Sequence, residues 1–150
     1  MNGLIIRPTT KSDAKAIAEI IKRHFETDYM GFASFQEGYI KEKMKKDKFF
    51  VADNSRIIGC IRISIVDVDL ADIRTLCVDE EFRGKGIAQS LLNEAMNFLK
   101  ERKMRKVIAR TRSDNKDAIR LFKKNSFAQE GYFKEHYRKG IDVVQLYRFL

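Results

Sequence analysis

Arg83-Gly84-Lys85-Gly86-Ile87-Ala88 is the stretch of sequence that decides the fold. It follows an apolar, strand-like run at residues 73–78 and opens a segment, residues 87–99, whose apolar side chains recur at helical spacing. Because glycine has no Cβ, the backbone can bend tightly there and an anion can approach the amides closely. The start of the helix adds roughly half a positive charge. The sequence therefore predicts a phosphate-binding turn between a strand and a helix.

Neither common glycine-rich phosphate motif is present in this turn. Gly84 and Gly86 are not followed by the third glycine of the dinucleotide motif G-x-G-x-x-G, and no P-loop spacing leads to a Lys-Ser/Thr pair. Arg83 and Lys85 add positive charge, but basic turns without any function are common. The turn alone leaves a phosphate site and an ordinary basic loop both open.

Composition limits the class of protein further. A length of 150 residues with 44% hydrophobic content predicts one domain over residues 1–150 with its own core. No apolar run approaches the length of a membrane span, and the N-terminus lacks the pattern of a signal peptide. Cys60 and Cys77 fall in apolar strand-like runs, which predicts reduced, buried thiols in a cytoplasmic protein. No Cys/His cluster has metal-ligand spacing, so no metal site is expected.

The formal net charge of +9 suits an anionic ligand or partner. The basic residues are spread over several segments, and no helix-turn-helix, zinc-finger or RNP pattern accompanies them. Nucleic-acid binding is therefore not expected to be the main function.

Apolar periodicity predicts the element order β-α-α-β-β-β-α-β-α-β-β, which is typical of an α/β sandwich with a mixed sheet. Thr10 and Asp13 have the spacing of a capping box before the first helix. Ile61, Ile63 and Ile65 alternate with Arg62 and Ser64, as in a strand covered on one face only. The apolar segment 26–35 is either a short helix that fills the core or a wall of a binding cleft.

Two motifs in this order carry a family resemblance. The first is Leu76-Cys77-Val78 followed by Arg83-x-x-Gly86-x-Ala88; the second is Asn115-x-x-Ala118-x-x-Leu121-Phe122, which closes with Ser126-Phe127. Their separation and the order of elements resemble the GNAT superfamily of acetyl-CoA-dependent N-acetyltransferases. The resemblance covers nearly the whole chain and is strongest over residues 72–127. It implies a GNAT-like mixed sheet of about seven strands with helices on both faces.

The resemblance also implies an acetyl-CoA site. Backbone groups of Leu76, Cys77 and Val78 would pair with the pantetheine arm, on a strand that separates from its neighbour. An N–H near Val78 would polarise the thioester carbonyl. Asn115 would bond to the pantetheine or the acetyl end, although an ordinary helix cap is the alternative. The CoA pyrophosphate would lie on the turn that Arg83 opens, held by the backbone amides of Gly84, Lys85, Gly86, Ile87, Ala88 and Gln89.

Phe122 departs from the family pattern. Many relatives have a tyrosine there, which donates a proton to the departing CoA thiolate, and phenylalanine cannot do so. Tyr137 in the closing hairpin is the candidate replacement, and Tyr132 and Tyr147 are alternatives. Each of the three could instead be an ordinary sheet residue. Ser126 also replaces the usual glycine before Phe127.

Asp72 is the candidate general base. Many relatives carry a glutamate at this place on the strand, where it takes a proton from the amine through water. Aspartate is one methylene shorter, and Asp72 lies about 13 Å from Leu76 along an extended strand, so relay waters or a bulge would be needed. The alternative is a surface carboxylate paired with Arg74.

The expected reaction is direct transfer of an acetyl group to a primary amine of a protein N-terminus, a lysine or a small molecule. A covalent route through Cys77 is the less favoured alternative. The difficulty of deprotonating a lysine tilts the expectation toward α-amino acceptors, since their pKa is lower. A CoA-binding sensor with little catalysis is the rival function, and a homodimer is possible.

Overall fold

The computed structural model describes residues 3–25 and 36–150, and its elements follow the predicted order. The segment 26–35, expected to be either a short helix in the core or a wall of a binding cleft, lies outside the described residues. The helices and strands are β1 Ile5–Pro8, α1 Ala14–Phe25, α2 Glu37–Met44, β2 Lys48–Asp53, β3 Ile57–Asp67, β4 Leu70–Val78, α3 Ile87–Glu101, β5 Lys106–Arg112, α4 Lys116–Lys124, β6 Ala128–Arg138 and β7 Ile141–Phe149.

The seven described strands form one mixed sheet with the order β1-β2-β3-β4-β5-β7-β6. Every neighbouring pair is antiparallel except β4 and β5. That pair is parallel because α3 carries the chain back across the sheet, as a crossover helix does. The predicted mixed α/β sheet is confirmed.

Helices cover both faces of the sheet, as predicted. On one face, the apolar stripe of α1, which includes Ile17 and Ile21, packs on Phe49 and Val51 of β2. On the other face, α3 packs on the alternate side chains of the same strands and forms the larger core. The two clusters exist because successive strand residues point to opposite faces.

The prediction that β3 is covered on one face only is wrong. Arg62 and Ser64 are buried, because the α1–α2 layer covers the face to which they point. Arg62 is buried together with its ion-pair partner, since its Nε lies 2.6 Å from Asp47 Oδ2. Ile65, by contrast, which points to the other face, is 44% exposed near the end of the strand. The alternation of residue types therefore did not predict that both faces of this strand are covered by helices.

The parallel pair β4–β5 separates halfway along its length. Their pairing runs from Leu70↔Lys106 to Ile73↔Ala109 and stops there. Beyond it, β4 continues to pair with β3 as far as Val78, and β5 continues to pair with β7. Residues 74–78 of β4 therefore have an open backbone edge toward β5, which agrees with the separation that the resemblance implied.

A β-bulge lies where the two strands begin to separate. On β3, Arg62 faces Thr75 and Ile63 faces Ile73, so Arg74 is an extra residue on β4. Bulges bend the strand that carries them and increase its local twist. The bulge accounts for why β4 turns away from β5 at this point.

Candidate active site

A cleft of about 650 Å³ occupies the gap between β4 and β5 and continues to the start of α3 and along α4. Clefts of this size are typical of small-molecule and cofactor sites. The predicted site residues that line it are Leu76, Cys77, Val78, Arg83, Gly84, Gly86, Ile87, Ala88, Gln89, Asn115 and Phe122. The other predicted site residues, Lys85, Asp72 and Tyr137, are not part of its wall.

The glycine turn forms the end of the cleft nearest α3. Gly84 and Gly86 both have positive φ, +75° and +80°, and a Cβ built on either would meet no atom within 4 Å. The Ser90 N–H is the first to bond back into the helix, to the Gly86 carbonyl at 3.0 Å. The amides of residues 87–89 precede this ladder, so they are available to an anion at the helix N-terminus.

Arg83 and Lys85 both contact neighbouring residues, so neither side chain is a freely mobile charge beside the turn. Arg83 Nε donates to the Val78 carbonyl at 3.1 Å, and its Nη2 lies 2.9 Å from His24 Nδ1. Arg83 therefore ties the turn to the end of β4 and to α1. Lys85 Nζ lies over the Phe82 ring, 5.4 Å from its centroid.

Asn115 satisfies one of its two predicted roles in this structure. Its Oδ1 accepts the Ala118 N–H at 3.2 Å and caps α4, while the residue also lines the cleft. The Nδ2 group is the part of the amide that could still donate to a ligand. A helix cap and a ligand contact are therefore compatible.

A reciprocal amide pair joins the first turn of α3 to the end of α4. Gln89 Nε2 donates to Asn125 Oδ1 at 2.8 Å, and Asn125 Nδ2 donates to Gln89 Oε1 at 2.9 Å. Asn125 also donates to the Leu121 carbonyl at 2.7 Å. Sequence reasoning missed Asn125, because a partner 36 residues away from Gln89 leaves no local signal.

Phe122 offers no proton donor to the cleft. Its ring is buried and packs edge-to-face on Phe127, with 5.0 Å between the ring centroids. Among the other tyrosines considered, Tyr132 donates its hydroxyl proton to Asp142, a bond that raises the pKa of Tyr132.

Tyr137 is connected to the cleft by Arg110, a residue that the sequence analysis did not single out. Arg110 lines the cleft, and its Nη1 donates to the Tyr137 hydroxyl at 3.4 Å. The same guanidinium is oriented by Gln145, whose Oε1 accepts from Nε at 2.8 Å. The contact joins the closing hairpin to the open edge of β5.

Asp72 is buried at the point where β4 and β5 still pair, next to Ile73, which lines the cleft. Arg74 Nε lies 3.2 Å from Asp72 Oδ2, so the predicted ion pair is present. Burial raises the pKa of Asp72, and the positive charge of Arg74 opposes this rise. A carboxylate with a raised pKa is a better base at neutral pH than an ordinary aspartate.

Cys77 is suited to packing rather than to nucleophilic attack. Its Sγ lies 3.5 Å from Cys60 Sγ, and both thiols are buried and free. The hydrogen bond with Cys60, together with burial, holds the pKa of Cys77 well above its usual range. Because the thiolate is the reactive form, this environment disfavours a covalent route.

Two further classes of site are absent from the part of the chain that the structure describes. Residues 3–25 and 36–150 contain no group of His, Cys, Asp and Glu side chains that could hold a metal ion. Within the same residues, no helix is both long and apolar enough to cross a membrane.

An open strand edge that leads to a helix N-terminus suits a ligand that is peptide-like at one end and phosphorylated at the other. Coenzyme A is such a ligand, and the fold is that of an acyl-CoA-dependent transferase. The model of the acetyltransferase (GNAT) family matches residues 15–127, and the chain belongs to this family.

Curated relatives agree with this assignment, and solved structures share the fold. An uncharacterized N-acetyltransferase of Methanocaldococcus jannaschii is 32% identical over an alignment 141 residues long, which covers 86% of this chain and 62% of that protein. The chain thus spans less than two thirds of this relative. N-alpha-acetyltransferase 30 of Schizosaccharomyces pombe is 25% identical over 93% of this chain and 94% of its own length. The structure of yncA from Salmonella typhimurium with its cofactor acetyl-CoA has a TM-score of 0.85 at 17% identity, covering 99% and 95% of the two chains.

Proposed function

We propose that this chain transfers the acetyl group of acetyl-CoA to an α-amino group by direct attack within a ternary complex. The observation that carries the proposal is the open backbone edge of β4 at residues 74–78, continuous with the glycine turn. The remaining steps follow from what the side chains and amides along this cleft can do.

Binding of the donor uses backbone rather than side chains. The amide groups of the pantetheine arm add to the open edge of β4 as an extra strand would, beside Leu76, Cys77 and Val78. The amides at the start of α3 hold the pyrophosphate. An N–H near Val78 is the donor that polarises the thioester carbonyl.

Proton transfer is assigned to two side chains, Asp72 of β4 and Tyr137 of β6. Asp72, whose pKa is raised by burial, takes the proton that the acceptor ammonium must lose before its nitrogen can attack. Tyr137, held by Arg110, is the candidate that returns a proton to the departing thiolate. A thiolate is a tolerable leaving group at neutral pH, so this second transfer is the less demanding one.

The acceptor we favour is the α-amino group of a peptide or an amino acid. Such a group has a pKa near 7.8 against about 10.4 for lysine, so a single aspartate suffices as its base. N-alpha-acetyltransferase 30, the relative matched over nearly its whole length, carries the same class of acceptor in its name. The reduced, buried thiols of Cys60 and Cys77 are in keeping with a cytoplasmic protein.

The test is a thiol-release assay with acetyl-CoA over matched acceptors. The panel pairs a peptide with a free N-terminus against its N-terminally blocked, lysine-containing counterpart, and adds free amino acids, polyamines and aminoglycosides. Release with the free N-terminus or the amino acids supports the proposal. Release with lysine or polyamine alone retains the transferase but overturns the acceptor.

Phe122 supports a second candidate, a CoA-binding protein with little catalysis, because the cleft lacks the usual tyrosine hydroxyl there. Calorimetric binding of CoA without thiol release from any amine would establish this second function and overturn the first.

A further inference from the structure

Thr75 carries a buried hydroxyl on the wall of the cleft. The residue is 3% exposed, it lines the cleft, and its Oγ1 has no hydrogen bond among the described residues. A buried polar atom without a partner is costly and rare in folded proteins. Such an atom on the wall of a binding cleft indicates a contact made only when the cleft is in use.

The bulge at Arg74 brings Thr75 to the same face of the sheet as Asp72. Across the sheet, Asp72 faces Ser64 and Thr75 faces Arg62, and these two β3 residues are only two apart. At about 3.3 Å per residue, Asp72 and Thr75 are about 6.6 Å apart along the sheet, instead of the roughly 10 Å of a regular strand. Without the extra residue, Thr75 would point to the opposite face.

Two side chains on one face at this backbone separation can share a single bridging water. Two hydrogen bonds of about 2.8 Å in series span about 5.6 Å. A well-held water has about three polar partners. A carboxylate, a hydroxyl and the incoming ammonium would supply three.

We propose that Thr75 is a positioning residue that, with Asp72, holds the water through which the acceptor loses its proton. This inference rests on the proposed function. The ammonium gives a proton to the water, which passes one of its own to Asp72, and Asp72 becomes a neutral acid. The amine lone pair then attacks the thioester carbonyl carbon and the carbon–sulfur bond breaks. Tyr137 gives its proton to the thiolate and regains the proton that the nitrogen sheds. Thr75 keeps its own proton and only accepts a hydrogen bond from the water.

The environment of this water is positively charged. The charged groups that act on Asp72 are Arg74, Arg110, Arg62 and Asp47. Their net positive charge stabilises the carboxylate that receives the proton, while burial disfavours it. A change of the pH–rate profile therefore reports on all the charges around Asp72 and does not isolate Thr75. The role of Thr75 must be tested by combining its substitution with one at Asp72.

The deciding variant is Thr75→Val, which keeps the shape of the side chain and removes the hydroxyl. Because no bond is lost in the free protein, its thermal stability is expected to be equal to or higher than that of the wild type. CoA affinity is expected to be unchanged. The kcat for the best acceptor is expected to fall about 10- to 100-fold, as for loss of part of a general-base arrangement. Thr75→Ser is expected to restore most of the rate.

A double-mutant cycle with Asp72→Asn completes the test. If both residues hold one water, Thr75→Val costs little further rate once Asp72 is replaced. Full activity in Thr75→Val, a proportional loss of CoA affinity, or strictly additive effects of the two substitutions would each overturn the inference. A wild-type protein that releases no thiol with any amine would instead overturn the proposed function and this inference with it.

Discussion

Gly86 and Gly140 form a matched pair that tests the phosphate cradle without interference from backbone strain. Both have φ of +80°, and a Cβ on either would meet no atom within 4 Å, but only Gly86 lines the cleft. Alanine at each is forced toward a left-handed conformation that costs about 1–2 kcal/mol, partly offset by a stiffer unfolded chain. Equal losses of about 1 kcal/mol, or roughly 2–4 °C in Tm, are expected for the two variants.

CoA affinity should then separate the two variants. Gly86→Ala puts a methyl group where the pyrophosphate approaches and turns the first amides of α3 away from it. Loss of one hydrogen bond to a charged phosphate costs about 1.5–3 kcal/mol, which weakens binding roughly 10- to 100-fold. Gly140→Ala lies in the β6–β7 turn and should bind CoA as the wild type does. Equal CoA affinities of the two variants, measured by titration calorimetry, would refute the cradle.

Three further substitutions test other parts of the chain. Asp72→Asn is expected to lower kcat about 100-fold. Folding raises the pKa of Asp72, so its stabilising contribution is complete below the ordinary aspartate range and is lost as the pH rises through the folded pKa. In urea unfolding, the free energy of unfolding of the variant should therefore increase relative to that of the wild type as the pH rises. Asp13 accepts two hydrogen bonds from Arg7 (2.9 and 3.0 Å), which lower its pKa, so Asp13→Asn should cost about 2 kcal/mol in urea unfolding at pH 7 and less as the pH falls through the folded pKa. Asn125→Ala breaks the amide pair with Gln89 and should cost about 1–2 kcal/mol in the same assay, with weaker CoA binding because the first turn of α3 is less well held.

The order of elements could be predicted from the sequence because it depends on local periodicity. The stripe of α1 and the glycine turn before α3 are patterns within about fifteen residues, and the structure confirms both elements. The cover of β3 could not be predicted in the same way. Arg62 looked like a solvent-facing residue, but its ion pair with Asp47 allows it to be buried beneath α2.

The parts of the candidate site that the sequence did not reveal depend on register. Asn125 and Arg110 act through partners far along the chain, Gln89 and Tyr137, and nothing local marks them. The bulge at Arg74 is invisible for the same reason, since it exists only in the pairing of β4 with β3. The distance of Asp72 from Leu76 predicted relay waters or a bulge, but the position of the bulge could not be predicted from the sequence.

A single extra residue in β4 accounts for both halves of the proposed chemistry. At Arg74 the strand turns from β5, so the backbone of residues 74–78 is left open to the acyl donor. The same extra residue shifts the alternation of β4, so every later side chain points to the face opposite to the one it would otherwise have. Thr75 therefore lies with Asp72 on the α1–α2 side, while Leu76 and Val78 pack against the α3 core. In the proposed reaction, the donor thus uses the backbone edge of the strand, and the acceptor uses the side chains of one face. The two substrates can bind to one strand together because they use different groups of it, which is the requirement of a direct transfer.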